Sequence, residues 1–343
     1  MEIDNEAAVN SSLINKPRLV SMSPHLRDTE TTDRIMWTVS ASLAPAAIMG
    51  VLYFGLQALL SILLCIGTAI AAEFLYQKLL KKKVTVADGS AFLTGLLLAF
   101  NLPPTAPLFI PILGAIVAVV LAKQLFGGIG FNIFNPALVG RAFLFISFPM
   151  VFATWKPPAS LFSTADAVSS ATPLSILKMD GPQKLIESFG SAMNLYQQLF
   201  IGHRGGCIGE TCGAALIIGA AILLFRGYIT WHIPVSFLAS AALLAWVFGG
   251  REALFTGDAL AHVLSGGIIL GAFFMATDYV TSPMLFPGKI LFGAGCGCIT
   301  MLIRLKGGYP EGVMFSILIM NCFAPLIDRV FRDKRFGGLN LRT

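Results

Sequence analysis

Ten apolar runs, most of them near the roughly 20 residues needed to cross the hydrocarbon core of a bilayer, decide what this chain can fold into. They lie at about 35–54, 56–79, 89–101, 106–126 and 134–151, then 212–226, 229–249, 264–277, 285–304 and 312–331. Composition agrees, with 56% of residues hydrophobic and 12% charged. A soluble domain carries about a quarter of its residues as charge. Such a chain cannot cover itself with a water-compatible surface, so lipid is its first partner. The net charge of +6 is scattered at segment ends, which excludes a nucleic-acid stripe. No two of the six cysteines stand as a C-x-x-C pair, so neither zinc nor an iron–sulfur cluster is indicated.

The fold class predicted is an all-α polytopic membrane protein with about ten transmembrane segments arranged as two inverted five-helix repeats. Segments three and eight are short, and both end in a breaker, Asn101-Leu102-Pro103-Pro104 and Asp278 to Pro283. Residues 95–107 can be laid over 271–283, with Gly95 on Gly271, Thr105 on Thr281 and Pro107 on Pro283. Short, interrupted segments at equivalent points of two halves are the mark of an inverted repeat. Broken backbone at that depth either lines a cavity or forms a tight re-entrant turn buried in protein.

Basic residues near segment ends set the orientation. With the N-terminus in the cytoplasm, Lys81 to Lys83, Lys123, Arg226, Lys289 and the tail from Arg329 to Arg335 fall inside. Arg251, Arg304, Lys306 and a long polar loop fall outside. The expected divisions are 1–34, a cytoplasmic N-terminal segment without a cleavable signal peptide; 35–151, the first repeat; 152–211, an extracytoplasmic loop; 212–331, the second repeat; and 332–343, a cytoplasmic tail.

That loop is the one sizeable piece outside the bilayer, and loops on rigid scaffolds tend to carry function. Within it runs Asp166-Ala167-Val168-Ser169-Ser170-Ala171-Thr172-Pro173-Leu174. Thr172 before Pro173 reads as a helix N-cap with proline at the first helical position. Read locally, it is a plain cap in a hydroxyl-rich loop, or a helix start whose free N–H groups suit a phosphate. Arg141 lies within an apolar run and requires a partner there. It either receives an anionic group or pairs with Glu210. Asp278 beside the break of segment eight either forms part of a cation site or caps freed backbone, and Glu73 is expected to snorkel.

Residues 166–174 resemble the flavinylation motif of the family that holds the D subunit of the Rnf complex and the B subunit of the Na+-translocating NADH:quinone reductase. The resemblance implies FMN joined through its phosphate to Thr172, the last residue of Ser169-Ser170-Ala171-Thr172, with Ser170 where the family carries glycine. Phe134-Asn135-Pro136 through Phe143, Gly209-Glu210-Thr211-Cys212, Phe274 to Asp278 with Thr281 to Pro283, and Asp88 to Ala91 resemble the same family, in order from about residue 20. The length favours the Rnf branch. The residues so implicated around the cofactor are Thr172, Asp166, Ser169, Ser170, Ala171, Arg141, Asn135 and Glu210. The resemblance further implies a second, non-covalent flavin, riboflavin. It implies the A, B, C, E and G subunits of the Rnf complex as partners and a bacterial cytoplasmic membrane with both termini inside. Its activity is an electron-transfer step in a ferredoxin:NAD+ oxidoreductase that translocates Na+ or H+. Cys207 and Cys212 are either a disulfide or free thiols.

Two other classes compete with this reading. An ion or small-solute channel or transporter of the same architecture needs no Thr172 motif. A membrane acyl or prenyl transferase needs an Asp-rich or His-Asp cluster, which the chain lacks.

Overall fold

The computed structural model describes residues 30–153, 155, 171–202, 204–250 and 253–331. Every regular element among them is helical, and the helices belong to the unit Asp33–Thr343. Among the described residues four helices are long and apolar enough to cross a membrane: α1 (Thr32–Phe54), α2 (Leu56–Leu79), α13 (Phe286–Lys306) and α14 (Val313–Val330). Five more are apolar but shorter: α3 (Ser90–Phe100), α4 (Phe109–Gln124), α5 (Pro136–Ser147), α9 (Gly213–Phe225) and α10 (His232–Phe248). The expectation that most runs approach bilayer length is therefore corrected. Turns and proline breaks consume the ends of the shorter runs. The run expected at 264–277 is helical only as α12, residues 268–275, whose last part is a π-helix, and a separate short helix, α11 (Ala259–Leu264), precedes it. The loop before α9 is itself helical in its described part, with α6 (Pro173–Met179), α7 (Pro182–Phe189) and α8 (Ala192–Ile201).

Burial within α2 falls on one stripe, Ala58, Ile62, Cys65, Ala69, Glu73 and Gln77, the spacing of a single helix face. Its small members let α3 and α4 approach closely, as is usual between helices in lipid. The opposite face exposes Leu56, Leu63 and Leu75. At the end of α9, Phe225 is 93% exposed. A water-soluble surface does not carry such a girdle, and lipid explains it.

The helices pack in matched sets. α2 lies on α3 and α4, and α10 lies on α12 and α13. α4 packs on α5 as α13 packs on α14, and α3 meets α5 as α12 meets α14. The C-terminal half of α1 packs on α9, and α5 packs on α14.

Two charges expected at the membrane edge lie inside the protein. Lys123 sits on the π-helical end of α4 and places its Nζ 2.6 Å from Glu73 Oε2 and 2.6 Å from Ser90 Oγ. Glu73 is 1% exposed and does not snorkel. A paired, hydrogen-bonded charge can stay where a lone one cannot.

Candidate functional site

The site begins with α5. Asn135 caps it, its Oδ1 accepting from the amides of Ala137 and Leu138 at 3.1 and 3.4 Å, and Pro136 takes the first helical position. Further along the same helix, Arg141 is buried. Its Nη1 donates to Asn101 Oδ1 at 2.5 Å and lies 3.4 Å from Glu210 Oε1. Its Nη2 donates to Glu311 Oε2 at 2.5 Å and to Cys207 Sγ at 3.7 Å. Nε of the same side chain is buried without a partner.

Asn101 reaches Arg141 because α3 breaks there. The freed carbonyls at the end of α3 are taken by a strap from the next half: Ile208 N–H donates to Leu102 at 3.1 Å and Gly209 N–H to Phe100 at 3.0 Å. A Cβ on Gly209 would run into the Phe100 side chain, so only glycine lets the strap lie this close and bring Glu210 to Arg141. Gly267 serves the second acid. Its N–H donates to Glu311 Oε1 at 2.8 Å, and a Cβ there would sit 2.7 Å from Glu210 Oε1 and 2.8 Å from Glu311 Oε1.

Two further guanidinium groups complete the cluster. Arg204 donates to the Leu264 carbonyl at 2.5 Å and the Glu210 carbonyl at 2.8 Å. Arg304 donates to the carbonyls of His262 and Ser265 at 2.5 and 3.0 Å. The sequence places Arg304 outside as a topology marker; in the fold it is buried and structural. Three arginines face two glutamates, which leaves the cluster positive even with both acids ionised.

The acids sit on connections outside the membrane-spanning helices, and their environments differ. Burial and the neighbouring Glu311 push Glu210 up to about 7, against the pull of Arg141 and Arg204. Burial acts upward on Glu311 too, but Arg141, Arg304 and the Gly267 N–H outweigh it and hold that carboxyl below its ordinary value.

Beside this cluster opens a cavity of about 450 Å³, lined among others by Arg141, Arg204, Glu210, Glu311, Phe145 and Thr172. Phe145 packs edge-on against Phe152 and Tyr309, with ring centroids 5.4 and 5.0 Å away, giving the cavity an aromatic wall. Thr172 is the N-cap of α6, its Oγ1 accepting from the Ser175 amide at 3.2 Å and donating to Ser175 Oγ at 3.0 Å. Lys178 pins α6 in place, donating to the carbonyls of Gly307 at 2.5 Å and Tyr309 at 2.6 Å beyond the end of α13.

The structure thus brings Arg141, Ala171, Thr172 and Glu210 to one cavity. Asp166, Ser169 and Ser170 lie outside the described residues. Asn135 is not among the walls of this cavity. It lines a second, largely apolar one at the start of α5, with Asn132, Asp278 and Ser90, and its Nδ2 donates to the Met275 carbonyl at 3.3 Å. There Asp278 Oδ2 accepts from Thr281 Oγ1 at 3.1 Å, a capping contact. Among the described residues no group of three or more metal-ligating side chains gathers. Cys207 and Cys212 are free, buried thiols. Sequence reasoning misses Asn101, Glu311 and Arg204. The signal for Glu311 is an isolated acid after Gly307-Gly308-Tyr309-Pro310, at the end of an apolar run that also carries Arg304.

The profile of the NQR2, RnfD, RnfE family matches residues 19–337. A Clostridium ljungdahlii chain, named as the D subunit of a proton-translocating ferredoxin:NAD(+) oxidoreductase complex, is 48% identical over 318 residues, covering 93% of this chain and 96% of that one. Its counterpart from Acetobacterium woodii, named for Na(+) translocation, is 44% identical over 330 residues, 94% of this chain and 96% of that one. The D subunit of an ion-translocating oxidoreductase complex of Cronobacter sakazakii is 37% identical over 351 residues, 93% of this chain and 98% of that one. A match of this extent settles the assignment: the chain belongs to the NQR2, RnfD, RnfE family.

Proposed function

We propose that this chain is the flavin-bearing membrane subunit of an Rnf-type ferredoxin:NAD+ oxidoreductase that drives Na+ or H+ across the bacterial cytoplasmic membrane. FMN would be held by a phosphoester on Thr172. The observation that carries this reading is the placement of the Thr172 hydroxyl on a cavity with surplus positive charge, an aromatic wall and an unpartnered Arg141 Nε. When bound, the flavin supplies the electron-transfer chemistry. The protein's part is position and electrostatics. Esterified, Thr172 Oγ loses its donor role toward Ser175 Oγ but still accepts from the Ser175 amide, so the cap of α6 survives the modification. Arg141 and Arg204 favour negative charge in the cavity, and Lys178 fixes the distance between α6 and the cluster.

The matched packing, of α2 on α3 and α4 and of α10 on α12 and α13, supports two inverted five-helix repeats with ten segments, residues 35–151 and 212–331. The contacts of α1 with α9 and of α5 with α14 are the ones a two-fold axis would pass through. Under that topology the Thr172 cavity faces outward, and 1–34 and 332–343 are cytoplasmic. The second cavity, with Asn132, Asn135 and Asp278 on apolar walls, is then the inner one and suits a neutral second flavin such as riboflavin. The A, B, C, E and G subunits of the Rnf complex are the proposed partners.

The test is direct. Denatured wild-type protein should give a fluorescent band under ultraviolet light, and the tryptic peptide holding Thr172 should gain the mass of FMN less water. Thr172→Ala should lose both signals. A fluorescent Thr172→Ala band would refute the assignment.

A further inference from the structure

Glu210 and Glu311 crowd one spot: a Cβ on Gly267 would lie 2.7 Å from Glu210 Oε1 and 2.8 Å from Glu311 Oε1. Two carboxylates crowded together out of water resist ionising together, so the pair favours holding one proton. Its place follows from the donors on each side. Glu311 takes Arg141 Nη2 at 2.5 Å and the Gly267 amide at 2.8 Å, and is held as a carboxylate. Glu210 takes the longer contact from Arg141 Nη1, at 3.4 Å, and the weak thiol donor of Cys207. Of the two, Glu210 is the member that takes up a proton first as the pH falls. Charged and titratable groups face it from every packed element. Arg141 comes from α5, Arg304 from α13, Glu311 from the α13–α14 connection, and Arg204 and Cys207 from its own strap. Asn101 at the end of α3 is polar and neutral.

The pair lines the Thr172 cavity, into which Arg141 turns a buried side chain whose Nε has no acceptor. That orphan donor marks where an acceptor or anion belongs. We propose that Glu210, backed by Glu311, is a one-proton site that fills when negative charge enters the Thr172 cavity. The trigger, reduction of a flavin on Thr172, rests on the function proposed above; the proton site itself does not.

The step balances simply. One electron arrives on the cavity group from the redox partner, one proton is taken up from bulk solvent by way of the cavity onto a Glu210 carboxyl oxygen, and no heavy-atom bond changes. A unit negative charge about 6 Å away, at an effective dielectric near 20, raises the proton affinity of a carboxylate on the order of a hundredfold. With a resting value of about 7, Glu210 at pH 8 would pass from about one-tenth to about nine-tenths protonated.

Infrared difference spectroscopy on the full chain in lipid nanodiscs tests this in two arms. Lowering the pH of the oxidised protein from 8.5 to 5.5 should raise a protonated-carboxyl C=O band that Glu210→Gln abolishes and Glu210→Asp retains at a shifted frequency. Reduction at pH 8 should enlarge the same band about tenfold in wild type and not in Glu210→Gln. Thr172→Ala should keep the pH response and lose the redox response. A pH band that survives Glu210→Gln overturns the proton site. Flavin-bearing protein whose reduction leaves the band unchanged overturns the coupling alone. Wild-type protein without bound flavin sinks the flavin reading, and the pH arm still decides Glu210. If Glu210→Gln fails to fold, the frequency shift in Glu210→Asp makes the same decision.

Discussion

A glutamate held by two close donors and a glutamate held by a distant guanidinium and a weak thiol donor respond differently to losing their charge. Glu311→Gln leaves Arg141 and Arg304 buried with too little negative charge, and breaking a buried pair from one side costs about 3–5 kcal/mol. Glu210→Gln replaces a group already neutral below about pH 7 and should cost little there. The pH dependence follows in sign. Glu210 binds its proton more tightly folded than unfolded, so stability is greatest at low pH and falls as pH rises from about 4.5 to about 7. Thermal unfolding in detergent across pH 5 to 8 should show that fall in wild type and its removal in Glu210→Gln. An equal loss from both substitutions at pH 5.5 would contradict the assignment of proton and charge. Arg141 and Glu210 are legible in the sequence because a charge in an apolar run demands a partner. Glu311 is not, because it sits in a polar-looking turn and only the fold carries it to Arg141.

At the level of elements, the strap Cys207–Glu210 does the positioning. It has no regular helix of its own and borrows the broken end of α3, so its register depends on Gly209. Gly209→Ala must displace either the strap or Phe100, and overpacking of this kind costs about 1–3 kcal/mol. Because Glu210 moves with the strap, the carboxyl infrared signal should weaken along with the melting temperature. Gly308→Ala is the control. Nothing lies within 4 Å of its would-be Cβ, and it should stay within about 0.5 kcal/mol of wild type. A harmless Gly209→Ala would mean the strap is not held against α3. Element existence is readable from hydrophobic length and proline breaks, and the Thr172 cap from hydroxyl-before-proline chemistry; the cap forms as expected. The break at 265–267 that separates α11 from α12 and delays the eighth helix is not readable, since its cause lies in distant partners: the Ser265 carbonyl turns to Arg304 and the Gly267 amide to Glu311.

For the whole molecule, the same apolar composition is compatible with repeats that run parallel or inverted, and the charge bias loses force once Lys123 and Arg304 prove to be buried partners rather than edge markers. What is left to decide the topology is parity and packing. Five segments per half, as proposed, would send the second half into the membrane in the opposite sense and put the α1–α2 connection and the α9–α10 connection on opposite faces. Leu56 begins α2 and Arg226 follows α9, and both are exposed. Single cysteines at these positions, Leu56→Cys and Arg226→Cys, discriminate the two topologies. A membrane-impermeant thiol reagent should label Leu56→Cys in right-side-out vesicles and Arg226→Cys only in inverted ones. The native thiols form a low background, since four are buried and Cys298 and Cys322 sit within the long apolar helices α13 and α14. Labelling of both positions from one side would break the inverted repeat, and with it the placement of the Thr172 cavity on the outer face. Opposite labelling would leave the two cavities at opposite ends of α5, one on each side of the membrane, joined by the hydrogen bonds of Asn135 to Met275 and of Asn101 to Arg141.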